Sequence, residues 1–326
     1  MFRLTHFVAL IAAIVTLAAP LRSYADTPVL RVAVMASGTV NWEIDTIDHF
    51  ALDEANGFEM SVQGLAGGSA ARVAFQGGEA DVIVADWIWV ARQRAAGRDY
   101  VFVPYSKAVG GVMVPADSTA KTLADLKGGK IGIAGGPLDK SWIILRAYAE
   151  KFHGMDLATE TEQVFGAPPL IFKSGLSGET DGAVNYWHFM ARMRAAGMTD
   201  LITVAEAAEA LGLDPEMPLL GYVFKGEMLR DNPKLVAGFT AASRAAKDRL
   251  NTDEAAWDRL RPRMPASNDA EFEALKSGFR AGIPGITPVD LESAAAVFEL
   301  MGKLGGPDLV GSSSQMPEGV FVAAGG

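Results

Sequence analysis

The sequence predicts an α/β fold of two similar lobes, each a parallel-type sheet flanked by helices, and three observations carry that expectation. The first is a repeat at a spacing of one hundred residues. Residues 75–97 (FQGGEADVIVADWIWVARQRAAG) align without a gap on 175–197 (GLSGETDGAVNYWHFMARMRAAG). They match at Gly78, Glu79, Asp81, Val84, Trp87, Ala91, Arg92, Arg94, Ala95, Ala96 and Gly97, eleven of 23 positions. Alanine bias supplies a few of these, but not the Gly-Glu-x-Asp, the tryptophan and the Ala-Arg-x-Arg-Ala-Ala-Gly in one register. The second observation is a pair of short apolar runs, 30–35 and 130–134. Each is followed by a loop of small and polar residues and then a tryptophan, Trp42 or Trp142, again one hundred apart. The third is the order strand, helix, strand within each copy, which builds a parallel sheet. A long period seen only twice does not suit a solenoid of three or more stacked units.

The chain opens with Arg3, an apolar run from Phe7 to Leu21 and Ser23-Tyr24-Ala25 ahead of Asp26. That order predicts a secretory signal peptide over 1–25, cleaved after Ala25. Thr16 and Pro20 interrupt the run, which falls short of the ~20 apolar residues of a membrane-spanning helix, so stable membrane insertion is not expected. No cysteine occurs, which removes lipid anchoring, disulfides, thiol catalysis and cysteine metal clusters. Residues 1–25 hold two arginines and no acid, so the remainder carries 27 basic against 39 acidic side chains. Such a surface repels nucleic acid and anionic membranes.

Within the first copy, 80–85 is an apolar stretch around one acid, as expected of a strand covered by helices on both faces. After Asp86 the helical spacing of Trp87, Val90 and Ala91 predicts a helix that Gly97 ends, and a strand follows from Tyr100. The second lobe is expected as an insertion: 26–114 and 219–326 form lobe one, and 115–218 lobe two. Residues 110–115 read as an extended segment leading out of lobe one, and 219–224 as a strand leading back. Asn232-Pro233 starts a long helix, further helical patterns cover 268–280 and 288–304, and the glycine- and serine-rich tail from Gly305 is expected to be partly loose.

Ligands of open parallel sheets bind beyond the carboxyl ends of the strands, where loops and helix amino termini converge. The loops in question hold Ser37, Thr39, Asn41 and Trp42; Gly68 and Ser69; Asp86 and Trp87; Asp139, Lys140, Ser141 and Trp142; and Asn185, Tyr186 and Trp187. The glycine-rich stretches offer free backbone N–H groups for a polar ligand. Ser37, Thr39, Ser69 and Ser141 suit helix caps as well as ligand contacts. The four matched tryptophans suit either wedges between helix and sheet or stacking faces for a ligand. No nucleophile elbow, phosphate loop, dinucleotide fingerprint or paired metal-binding histidine motif occurs. No catalytic residue, cofactor or metal is therefore expected.

Five stretches resemble the solute-binding proteins for taurine, alkanesulfonates, nitrate and thiamine-pyrimidine precursors. They are Leu30-Arg-Val-Ala-Val, Gly77-Gly-Glu-Ala-Asp-Val, Thr122-Leu-Ala-Asp-Leu-Lys-Gly-Gly-Lys-Ile-Gly-Ile, Ser177-Gly-Glu-Thr-Asp-Gly-Ala and Asn232-Pro-Lys-Leu-Val-Ala-Gly-Phe. The resemblance implies a periplasmic binding protein-like fold of type II, with two lobes closing on a small molecule without catalysis. It implies a periplasmic monomer whose partners are that ligand and the permease of an ABC transporter. Ligand loops carried over by position fall on 37–42, 67–69, 86–87, 138–142 and 185–187. Two of them, around Trp42 and Trp142, are bulkier and more acidic than loops shaped for a small anion, and a flat or cationic ligand is expected. An exported enzyme using the same cleft, or a subunit presenting ligand to a membrane sensor, are the alternatives.

Overall fold

β-Branched and apolar runs of four to seven residues, broken by amphipathic helices, assemble into two five-stranded sheets. A computed structural model describes residues 27–322, and the signal peptide expected over 1–25 lies outside the described residues. The first sheet has the order β2-β1-β3-β10-β4 and the second β7-β6-β8-β5-β9. Their strands are β1 (Val29–Met35), β2 (Glu59–Leu65), β3 (Val82–Asp86), β4 (Tyr100–Ser106), β5 (Gly111–Val114), β6 (Lys130–Ala134), β7 (Glu162–Gly166), β8 (Gly182–Asn185), β9 (Thr199–Thr203) and β10 (Leu220–Lys225). The two orders are the same once β5 and β10 are taken as counterparts, so the repeat extends over whole lobes.

Both sheets are mixed, because β10 runs antiparallel to β3 and β4, and β5 antiparallel to β8 and β9. The parallel strands of each lobe point their carboxyl ends at the other lobe. A chain crossing between lobes therefore enters the new sheet at that end and has to run against its neighbours. Residues 111–114, placed by the sequence reading at the exit of lobe one, pair wholly within the second sheet. Each crossing strand carries a glycine that a Cβ would displace. At Gly111 it would lie 2.6 Å from the Ile202 carbonyl oxygen, and at Gly221 2.3 Å from the Phe102 ring. Lys107 and Glu216 join the two connecting segments in an ion pair.

Helices cover both faces of each sheet. Gly68–Gly77 and Trp87–Ala95 in the first lobe correspond to Pro168–Leu176 and Trp187–Ala195 in the second. The largest apolar cluster runs from one lobe into the other, taking in Ile83 and Phe102 on one side and Ile131 and Val184 on the other. Helix Asp269–Ala281 lies along Trp187–Ala195, so the carboxy-terminal part of the chain braces the second lobe. As far as residue 322 the tail is tied down, where the sequence led us to expect partial looseness. Residues Pro307–Val310 form a helical turn, the Phe102 N–H donates to the Val320 carbonyl at 2.7 Å, and the Phe321 ring packs on Trp87 and Phe102.

Candidate functional site

Asp86 ends β3 and caps the helix Trp87–Ala95, its Oδ1 accepting from the Trp89 N–H at 2.8 Å. Its other oxygen meets two cations, one from each lobe. Arg72, on helix Gly68–Gly77, donates to Oδ2 at 3.0 Å, and the Lys140 ammonium of the second lobe lies 3.2 Å away. The carboxylate is only 7% exposed. Burial works to raise its pKa, but Lys140, Arg72 and the capping bond outweigh it and hold the group below the usual carboxylate range.

Asp139 caps a helix of the second lobe at the same junction, while the position equivalent to Asp86 is held by Tyr186. Its Oδ1 accepts from the backbone N–H groups of Ser141 at 3.0 Å and Trp142 at 3.2 Å, starting helix Lys140–His153. Burial pushes its pKa up, and the nearby Asp86 charge adds to that. Burial, together with the nearby carboxylates of Asp139 and Asp86, raises the Tyr186 phenol above the usual range. Two carboxyl groups of opposite tendency, two cations and a phenol thus meet where the lobes face each other.

The tryptophans do not form a common box. Trp87 and Trp142 are 0% and 1% exposed and belong to the large core, so neither offers a ring face. Of the two roles open to them, their burial suits the wedge between helix and sheet, and the Phe321 ring packs on Trp87. Trp42 and Trp187 come from different lobes and meet edge to face at 6.2 Å. Trp257 and Phe279 complete that cluster, at 5.9 and 5.8 Å from Trp42.

Among the remaining candidates, Ser37 is exposed on the loop after β1, and Gly68 and Ser69 are exposed at the start of helix Gly68–Gly77. Thr39 stands at the cap of helix Val40–His49 without a side-chain capping bond. Asn41 is taken up locally, its Nδ2 donating to the carbonyls of Met35 at 2.9 Å and Gly38 at 2.7 Å. Asn185 is likewise committed: it donates to the Pro168 carbonyl at 3.0 Å and accepts from the Tyr186 N–H at 2.9 Å. Ser141 is 9% exposed at the start of its helix.

Sequence reasoning missed Arg72, whose signal was a base on the helix opened by the glycine-rich 65–70 loop, facing the next strand end. It also missed a buried polar network between the first sheet and helices Val40–His49 and Pro233–Thr252. There Glu43 is 0% and Lys247 3% exposed, 2.7 Å apart. Tyr222 donates to Glu43 at 2.7 Å, Ser243 donates to it at 2.6 Å, and Lys247 donates to Ser243 at 2.7 Å. Among the described residues no group of acidic, histidine or cysteine side chains is placed to hold a metal, and no helix is long and apolar enough to cross a membrane.

A family model described as NMT1/THI5 like matches residues 54–256. No curated protein sequence matches the chain. Among solved structures, the chain is similar to the alkanesulfonate-binding protein SsuA of Xanthomonas axonopodis pv. citri bound to MOPS. That likeness has a TM-score of 0.67 at 17% identity and covers 90% of this chain and 98% of the other. It is also similar to the periplasmic aliphatic sulphonate binding protein SsuA of Escherichia coli, with a TM-score of 0.68, 19% identity and coverage of 88% and 95%. A third likeness is the zinc-bound ligand binding component of an ABC-type import system from Staphylococcus aureus, with a TM-score of 0.65, 12% identity and coverage of 85% and 92%.

Proposed function

The chain belongs to the NMT1/THI5 like family, and from that premise we propose that it is an extracytoplasmic solute-binding protein. In this reading it works in the periplasm, captures a small organic ligand between its lobes without altering it, and delivers it to the permease of an ABC importer. The observation that carries the reading is the junction at Asp86. A buried carboxylate of one lobe holds a cation of the other at 3.2 Å, at the strand ends where open α/β sheets bind their ligands. Such a contact forms only when the lobes are together, so a ligand touching both sides biases an existing open and closed balance. The connections before β5 and before β10 act as the hinge.

The ligand in this reading has a charged group and a flat or apolar part. An anionic group competes with Asp86 for Arg72 and Lys140, and a cationic one is drawn to Asp86 and Asp139. The solved relatives named for alkanesulfonates favour the first arrangement. Thermal melting of the protein from residue 26 onward against alkanesulfonates, their amine-bearing analogues and flat heteroaromatic cations tests the reading. One compound is expected to raise the melting temperature, since ligand at a hundred times its Kd adds about 2.7 kcal/mol. Mass spectrometry of the repurified compound is expected to find it unchanged; conversion to a product would replace the binding reading with an enzymatic one.

A further inference from the structure

The internal repeat shows what one lobe has and the other lacks at the pole farthest from the junction. In the first lobe the turn before β3 is closed by Arg31. Its guanidinium donates to both Asp81 carboxylate oxygens, at 2.9 and 2.5 Å, and to the Gly78 carbonyl at 2.7 Å. The second lobe repeats the backbone of that turn. Asp81 donates its N–H to the Arg31 carbonyl at 2.8 Å, and Asp181 donates to the Lys130 carbonyl at the same distance. Arg31 and Lys130 each return their own N–H to the matching carboxylate, at 3.0 and 2.7 Å. Gly78 and Gly178 share a left-handed conformation, with φ of +83° and +71°. Lys130 is thus the counterpart of Arg31.

Its side chain goes elsewhere, reaching Glu162 at 3.3 Å. No cation among the described residues pairs with the Asp181 side chain. Asp181, Gly178 and Thr180 instead line a cavity of about 630 Å³ that also takes in Asp117 and Asp125. Thr180 is 2% exposed, and its hydroxyl is buried without a hydrogen-bond partner. Lys127, the one base on the wall, is paired with Glu160. The cavity wall is therefore acidic, with no free base among its lining residues.

We propose that this pole of the second lobe is a guanidinium-binding pocket, in which a group from outside the chain takes the place that Arg31 fills in the first lobe. Asp181 receives two parallel N–H donors and the Gly178 carbonyl a third. A planar fork satisfies all three at once and a lysine-like ammonium does not. The acids at positions 117 and 125 add negative charge around it. The pocket is separate from the junction of the lobes and does not depend on which ligand closes them.

Two sources carry the same chemistry, a free guanidino compound and an arginine side chain of another protein, and one set of titrations separates them. Methylguanidinium, methylammonium and an end-blocked Gly-Arg-Gly peptide are added to ¹⁵N-labelled protein while the amide signals of Gly178, Thr180 and Asp181 are followed. Methylguanidinium is expected to shift them saturably, and methylammonium to bind about tenfold more weakly or worse. The peptide binding more tightly than methylguanidinium assigns the pocket to a protein partner, and the reverse order assigns it to a free compound. The decisive variant is Lys130→Arg, which supplies the missing fork from within and is expected to abolish the shifts while the protein stays folded, as Arg31 does in the first lobe. Asp181→Asn is expected to weaken binding as well. Absence of saturable shifts in the unaltered protein, equal binding of methylammonium, or undiminished binding to folded Lys130→Arg would each overturn the proposal.

Discussion

Glu43 shows at the scale of one residue how much hangs on a single buried charge. It sits on the same face of helix Val40–His49 as Val40, Ile44 and Ile47, and its charge is balanced only by Lys247 and the hydroxyls of Tyr222 and Ser243. Burial lowers the Lys247 pKa, and the Glu43 charge beside it works against that shift. Lys247→Met is expected to cost about 3–5 kcal/mol, because it leaves an uncompensated carboxylate in the core. Adding Glu43→Gln to it removes that charge and is expected to restore much of the loss. Urea denaturation of the two variants checks this, and a single-variant loss under about 1 kcal/mol would contradict it. Each residue was an anomaly in its own helical pattern, legible as an acid or a base on an apolar stripe. Their pairing was not, since it joins positions about two hundred residues apart that only the fold brings together.

At the scale of elements, the repeat made most of the strands and helices readable but not the different surroundings of the matched tryptophans. Trp87 and Trp187 begin equivalent helices, yet the first is sealed by the tail at Phe321 while the second crosses to Trp42 and lies on Gly278. Neither outcome follows from helical spacing, because both depend on carboxy-terminal segments that lie outside the repeat. The docking of 320–322 was hidden for the same reason: the glycines and serines around it suggested looseness, and the β4 backbone it pairs with is distant in sequence. Gly278 tests the cross-lobe contact. A Cβ there would stand 2.7 Å from the Trp187 ring, so Gly278→Ala has to push the indole off helix Asp269–Ala281. We expect a loss of about 1–3 kcal/mol from that overpacking. Pairing it with Trp187→Leu should recover part of the loss in thermal melts. Melting equal to the unaltered protein in the single variant would mean that the two helices are not held together as described.

For the whole molecule, two lobes of one strand order were legible from the hundred-residue spacing, and the direction of the crossing strands was not. That direction follows from the lobes pointing their strand ends at each other, a relation between domains that no local pattern encodes. The same relation places Asp86 against Lys140, and Trp42 against Trp187, so the contacts that close the molecule lie between the lobes rather than within either. An equilibrium between open and closed forms then has to respond to any molecule that contacts both sides. The most direct test is small-angle X-ray scattering of the protein alone and saturated with the compound that most raises its melting temperature. The account predicts a smaller radius of gyration with the compound bound. An unchanged or larger radius at saturation, with both lobes folded, would contradict capture by closure of the two lobes.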